Sequence, residues 1–109
     1  MIKSELISAL TSKQKHIQEK DISLSVNLLL EYLRETLGRG NRIEIRGFGS
    51  FCLHFRPPRN AHNPKTGRKV ITKAKYSPHF KPGKDLKDRV DASKHHYQIE
   101  IDDGKDSDD

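Results

Sequence analysis

The hydrophobic period of this chain changes at residue 41, and that change restricts the fold more than any other feature. Before it, apolar residues recur at helical spacing. Ile22, Val26, Leu29, Leu30, Leu33 and Leu37 form one broad stripe along a helix that Gly38 and Gly40 are expected to end. A shorter stripe, Leu6, Ile7 and Leu10, predicts a first helix over residues 3–14, with Ser4 as its N-cap and Glu5 in its first turn. After residue 41 the period is two. Ile43 and Ile45 alternate with Arg42, Glu44 and Arg46, and Phe51, Leu53 and Phe55 alternate with Ser50, Cys52, His54 and Arg56. The Gly47-Phe48-Gly49 turn joins these runs into a hairpin. A third strand sets Ala74, Tyr76, Pro78 and Phe80 against Lys73, Lys75, Ser77, His79 and Lys81. Helices followed by an antiparallel sheet make an α+β fold.

The apolar side of all three strands is expected to face the helices. The opposite side then carries Arg42, Arg46, Arg56, Lys73, Lys75 and Lys81, a surface suited to a polyanion. Between the second and third strands, residues 56–75 hold seven Lys and Arg, no acid and almost nothing apolar. Asn63-Pro64-Lys65-Thr66-Gly67 at their centre is a turn signature, with Pro presetting φ and Gly closing the turn. Two extended flanks around that turn predict a protruding two-stranded arm, roughly 25 Å long at about 3.3 Å per residue. With so little to bury, the arm is expected to order on binding. Residues 83–91 read as a short helix on which Leu86 and Val90 lie four apart. Tyr97, Ile99 and Ile101 predict a short strand, and the acids beyond it a charged tail.

Composition enters where the core is concerned. At 32% hydrophobic and 33% charged residues over 109 positions, one chain struggles to bury enough apolar surface, which points to a core shared between subunits. Charge is unevenly placed. Residues 1–90 hold nineteen Lys and Arg against eight Asp and Glu, a net of +11, whereas residues 91–109 carry a net of −5. A basic body of this kind calls for nucleic acid or an anionic membrane. The cations lie on strands and an arm rather than on an amphipathic helix, which argues against the membrane. Between Ile22 and Leu37 the second helix has only Glu31, Arg34 and Glu35 as charges, unlike the base-reading helix of a helix-turn-helix. The sheet lacks the exposed aromatic pairs that stack on single-stranded RNA bases. A lone Cys52 and six scattered histidines form no zinc pattern, and no nucleophile-base pair, phosphate loop or HExxH spacing suggests catalysis. No catalytic residue, metal, cofactor or small-molecule substrate is therefore expected. With no signal peptide or membrane span to read, the chain is expected to be cytoplasmic.

Three separated motifs, Ile43-Glu-Ile-Arg-Gly-Phe-Gly-Ser-Phe51, Asn63-Pro-Lys-Thr-Gly67 and Pro78-His-Phe-Lys-Pro-Gly-Lys84, resemble the bacterial histone-like HU and integration host factor family. Within it, the Ser4-Glu5-Leu6-Ile7 start and the Arg46–Phe51 wording are most similar to integration host factor beta subunits. The resemblance covers residues 1–91, which it makes a single DNA-binding domain, and leaves 92–109 as an acidic, flexible extension. It implies an intertwined dimer, with a second copy or with a related alpha subunit, whose arms embrace double-stranded DNA along the minor groove. It further implies a nucleoid-associated protein that bends DNA in support of recombination, replication and the regulation of transcription and translation. The less sequence-specific, DNA-compacting HU type acting as a homodimer stays open as the alternative.

The same resemblance assigns residues. Pro64 becomes an intercalating wedge at the arm tip, with Asn63 beside it. Arg56, Arg59, Lys65, Arg68, Lys69, Lys73 and Lys75 become phosphate or minor-groove contacts, joined on the sheet face by Arg42 and Lys81. Arg46 reaches the minor groove and contributes to site choice, with Glu44 placed to orient it. Lys3 and Lys84 clamp the backbone from helix N-termini. Gly47 and Gly49 serve the turn and a close backbone approach, and Phe48 and Phe51 belong to the core. Two departures from the pattern stand out: the acidic extension, and Ala61-His62 in place of the Gly-Arg usual before the arm turn, which removes one positive charge from the tip.

Overall fold

The computed structural model describes residues 1–102. By packing, the chain divides into two compact units, residues 1–39 and the residues from Gly40 onward.

The first unit holds helices α1 (Lys3–Lys13) and α2 (Glu19–Gly38). Ile7, Ile22 and Val26 form its buried core, with Leu10 packed against them. Helix α1 starts two residues earlier than a Ser4 cap requires. Ile2 occupies the N-cap without a side-chain bond, and the Leu6 N–H donates to the Ile2 carbonyl at 3.1 Å. Ser4 is thus inside the first turn, because backbone pairing can open the helix ahead of the best capping residue. Glu19 and Asp21 lie in the first turn of α2, where the helix dipole favours acids. Beyond Arg39, Gly40 at φ +84° takes the chain out of the helix in a conformation that suits glycine. Of the α2 stripe, Ile22 and Val26 are buried and Leu33 and Leu37 half-buried, whereas Leu29 and Leu30 remain exposed. Leu24, Leu28 and Tyr32 are exposed as well. Helix α2 is therefore apolar around more of its circumference than the α1 contact uses.

The second unit is built on a three-stranded antiparallel sheet, β1 (Ile43–Ile45), β2 (Gly49–Arg56) and β5 (Lys75–Pro82), in the order β1-β2-β5. A separate two-stranded ribbon, β3 (Arg59–His62) and β4 (Lys69–Thr72), forms the arm. Register sorts the sheet into two rows. Phe51 opposes Phe80 and Ile43, Leu53 opposes Pro78, and Phe55 opposes Tyr76. Ring centroids confirm that this row packs: 4.9 Å for Phe51–Phe80 and 5.3 Å for Phe55–Tyr76. Phe48 in the hairpin turn also reaches Phe80, at 5.4 Å. The expected strand bounds were too generous. Arg42 and Arg46 flank β1, and Lys73 and Ala74 precede β5, because the Gly47 turn and the arm junction interrupt the pairing that alternation alone would extend.

Two glycines are required locally. Gly47 has φ +83° in the turn that the Phe48 N–H closes onto the Ile45 carbonyl at 3.0 Å. At Gly49, a Cβ would lie 2.6 Å from the Lys81 carbonyl oxygen and 2.8 Å from the Phe80 ring. The Gly83 N–H donates to the Phe48 carbonyl at 2.9 Å, tying the start of helix α3 (Lys84–Ala92) to the hairpin turn. A 3-10 turn, Ser93–His95, follows α3, so regular structure continues past residue 91. The strand expected at Tyr97–Ile101 does not form. Ile99 instead lines an open apolar hollow with Phe80, Leu86 and Val90, and remains exposed there. Asp103, Asp106, Asp108 and Asp109 of the expected acidic extension lie outside the described residues.

Gly49→Ala is expected to cost about 2 kcal/mol of stability, since its methyl group meets backbone that cannot yield. Gly38→Ala, with nothing within 4 Å of an added Cβ, should be neutral or slightly stabilising. Urea unfolding followed by circular dichroism compares the two.

Candidate nucleic-acid interface

The second row of the sheet is polar throughout. Ser50 opposes Lys81 on one side and Glu44 on the other, Cys52 opposes His79, His54 opposes Ser77, and Arg56 opposes Lys75. Directly opposed residues share a face, so the register gathers Arg56 and Lys75 at one end and Lys81 at the other. Arg56 Nε donates to Ser77 Oγ at 3.1 Å, which draws the guanidinium along the face. Between these ends, the His54 and His79 rings stack with centroids 4.4 Å apart and planes 18° from parallel. Cys52 Sγ lies 3.9 Å from His54 Nε2 and 3.7 Å from the His79 carbonyl oxygen.

At the β1 end, Arg42, Arg46 and Lys81 line an open hollow of about 320 Å³ together with Glu44, Ser50 and Gly83. Three cations around one concavity concentrate positive potential. Glu44 Oε2 lies 3.9 Å from Arg42 Nη2. The expected orienting of Arg46 by Glu44 gives way to pairing with Arg42, because Arg46 has already left the strand for the turn.

The arm is held mostly by its own backbone. Arg59 opposes Thr72, Asn60 opposes Ile71, Ala61 opposes Val70 and His62 opposes Lys69. Arg59 and Lys69 consequently lie on opposite faces of the ribbon. The Thr72 hydroxyl accepts from the Arg59 N–H at 3.0 Å and donates to the Arg59 carbonyl at 3.3 Å. At the tip, the Gly67 N–H donates to the Asn63 carbonyl at 2.7 Å, and the Asn63 N–H donates to the Arg68 carbonyl at 2.8 Å. Asn63 Oδ1 accepts from the Lys65 N–H at 2.9 Å and Thr66 Oγ1 from the Arg68 N–H at 3.3 Å. Gly67 has φ +70°. The turn is therefore braced from within, and the rigid Pro64 ring stands exposed on it.

The remaining expected contacts are dispersed. Lys73 lies in the link between β4 and β5. Lys84, at the start of α3, donates to Asp88 Oδ2 at 2.6 Å, and Lys3, in the other unit at the start of α1, donates to Asn27 Oδ1 at 2.8 Å. Sequence reasoning passed over Ser77, His54 and His79 as site residues. The period-two pattern already put them on the basic side, but register was needed to bring the two rings together. Among the described residues, no group of three or more His, Cys, Asp and Glu side chains is arranged to hold a metal ion, and no helix is long and apolar enough to cross a membrane.

Residues 1–91 match the family described as bacterial DNA-binding protein. Integration host factor subunit beta of Alkalilimnicola ehrlichii is 60% identical over 95 residues, covering 87% of this chain and 95% of that protein. The subunit beta of Thioalkalivibrio sulfidiphilus is 61% identical over 92 residues, 84% of this chain and 96% of its own. Among solved structures, Anabaena HU in a cocrystal with DNA superposes with a TM-score of 0.76 at 31% identity, over 83% of this chain and 97% of that one. HU from Thermotoga maritima gives 0.55 at 32% identity, over 83% and 98%. Fold and basic surface together define a small α+β architectural DNA-binding protein. The chain belongs to the bacterial DNA-binding protein family, that of HU and integration host factor.

Because the Lys65 N–H donates to the Asn63 side chain, Asn63→Ala should speed amide exchange at Lys65 about fivefold, the equivalent of roughly 1 kcal/mol for one such bond. Asn63→Asp, which keeps the acceptor, should stay near wild type. Hydrogen-exchange NMR distinguishes the two.

Proposed function

We propose that this chain is one half of a dimer that binds double-stranded DNA across its polar sheet face and bends it by wedging Pro64 between base pairs in the minor groove. The observation that carries the reading is the arm tip. Its hydrogen bonds are closed among Asn63, Lys65, Thr66, Gly67 and Arg68, so Pro64 presents an apolar ring with no N–H to satisfy. Such a ring can unstack a base step at low cost in lost hydrogen bonds. The Anabaena relative was crystallised with DNA, which supports the same use of the fold.

In this reading the cations divide the work. Arg56, Lys75 and Lys81 on the face, and Arg59, Lys65, Arg68, Lys69 and Lys73 along the arm, neutralise phosphates or line the groove, and Asn63 holds the wedge turn. Arg42 and Arg46 act at the hollow, where shape and potential differ between sequences. Lys3 and Lys84 clamp phosphates beside helix N-termini. Both must first exchange the Asn27 and Asp88 contacts. These are exposed and hence cheap to break.

Dimerisation follows from unused apolar surface. Leu24, Leu28, Leu29 and Tyr32 on α2 are exposed, and Phe80, Leu86, Val90 and Ile99 line an open hollow. Surface of this kind is buried by a partner in a stable small protein. Relatives at 55–61% identity are named as beta subunits, which favours a related, non-identical partner over a second copy. Residues 1–91 constitute the DNA-binding domain and 92–109 an appended acidic extension. The protein works in the nucleoid, in recombination, replication and the regulation of gene expression, and performs no catalytic step and needs no cofactor.

Pro64→Ala should reduce the bend, read by energy transfer across an end-labelled duplex, while weakening affinity by less than about tenfold, since phosphate contacts supply most of the binding. An unchanged bend would leave Pro64 as a turn residue only. Lys84→Ala should weaken all sequences alike and lower the salt slope by about one. Arg46→Ala should instead flatten the preference among duplexes of different minor-groove width, measured by competition binding.

A further inference from the structure

We propose that His54 and His79 form a proton-linked phosphate-binding pair at the centre of the polar sheet face, which takes up protons as DNA docks. The inference rests on the DNA-binding reading and adds to it the chemistry of residues to which that reading gives no role. Cross-strand register sets His54 two positions from the residue opposite His79, and the rings close that diagonal by stacking at 4.4 Å. Both side chains are exposed on the basic face, so a duplex lying there meets them directly.

Their surroundings determine the sign of the effect. The face bears Arg56 and Lys75 at one end and Lys81 at the other, on the two strands that carry the rings. From β1 it receives Glu44, which opposes Ser50 and lies 3.9 Å from Arg42. The Cys52 thiol lies beside His54, and its other near contact is the His79 carbonyl. Among the described residues, the charges on this face apart from Glu44 are positive. Phosphates brought onto the face set negative charge beside both rings, which favours the protonated imidazole. A protonated imidazole then donates from both ring nitrogens, in charge-assisted hydrogen bonds to phosphate oxygens. Histidine is the side chain whose ordinary titration crosses neutrality, so the pair can change charge where the Lys and Arg around it cannot.

Linkage follows directly. Because the bound state holds more protons than the free state, affinity rises as pH falls. Uptake of half to one proton corresponds to about a three- to tenfold gain per pH unit. The pair therefore makes the grip on DNA depend on pH in a range where the Lys and Arg contacts keep their charge.

The test is isothermal titration of a short duplex into the full dimer at pH 8, 7 and 6, at one ionic strength, in buffers of differing ionisation enthalpy. Wild type should show proton uptake and the stated rise in affinity. The variant H54Q/H79Q, whose amides keep polarity without titrating, should lose at least half of both, and each single variant part of it. Circular dichroism confirms that the variants are folded. An H54Q/H79Q slope and proton count equal to wild type would overturn the proposal while leaving DNA binding intact. Failure of the wild-type dimer to bind the duplex at any pH would overturn the DNA-binding reading, and this proposal with it.

Discussion

The pairing of β2 with β5 is the interaction on which the rest of this structure depends. Eight consecutive residues are opposed, from Gly49↔Pro82 to Arg56↔Lys75, and their register decides which side chains share a face. Phe51, Leu53 and Phe55 meet Phe80, Pro78 and Tyr76, and the alternate positions meet as Ser50–Lys81, Cys52–His79, His54–Ser77 and Arg56–Lys75. A slip of one residue on either strand would set the apolar row against the polar row along the whole length. Gly49 guards one end of that register, because only a missing Cβ lets its strand approach the Lys81 carbonyl and the Phe80 ring so closely. From this single alignment come an apolar face to be covered and a basic face left open.

The division between those faces also explains how the chain spends its few apolar residues. The buried core of the first unit is three side chains, and the second unit relies on a row of rings in tilted contact. The arm has almost no burial, with Val70 and Ile71 exposed, and holds itself by backbone pairing and by Asn63, Thr66 and Thr72. A ribbon of that kind is poorly stabilised alone and gains most from a partner. Its run of cations without acids makes the partner a polyanion. The exposed apolar side chains of α2 point to a different kind of partner, another protein chain.

Much of this was legible in the sequence, and the failures share a cause. The stripe beginning at Ile22 and Val26 and the alternation from Ile43 to Phe55 are periodic signals that burial imposes directly, so both elements appeared where expected. Ends of elements are set by contacts that periodicity does not carry. Ser4 lost the N-cap to Ile2, Arg46 and Lys73 fell outside the strands, and Tyr97–Ile101 found no strand edge. Glu44 was placed beside Arg46 by strand parity, yet the turn carries Arg46 away and leaves Arg42 as its neighbour. The His54–His79 stack was beyond reach for another reason. It joins residues 25 apart through a diagonal that exists only once register is known.

The central claim is that the polar row, together with the arm, is where DNA lies. NMR titration of a duplex into the dimer, with histidine rings and Phe, Leu and Ile side chains selectively labelled, tests it most directly. The account predicts large shifts for the His54 and His79 rings and for the arm amides from Arg59 to Thr72, with Phe51, Leu53 and Phe80 little changed. Shifts concentrated on Phe51, Leu53 and Phe80, with the two histidine rings unmoved, would contradict it.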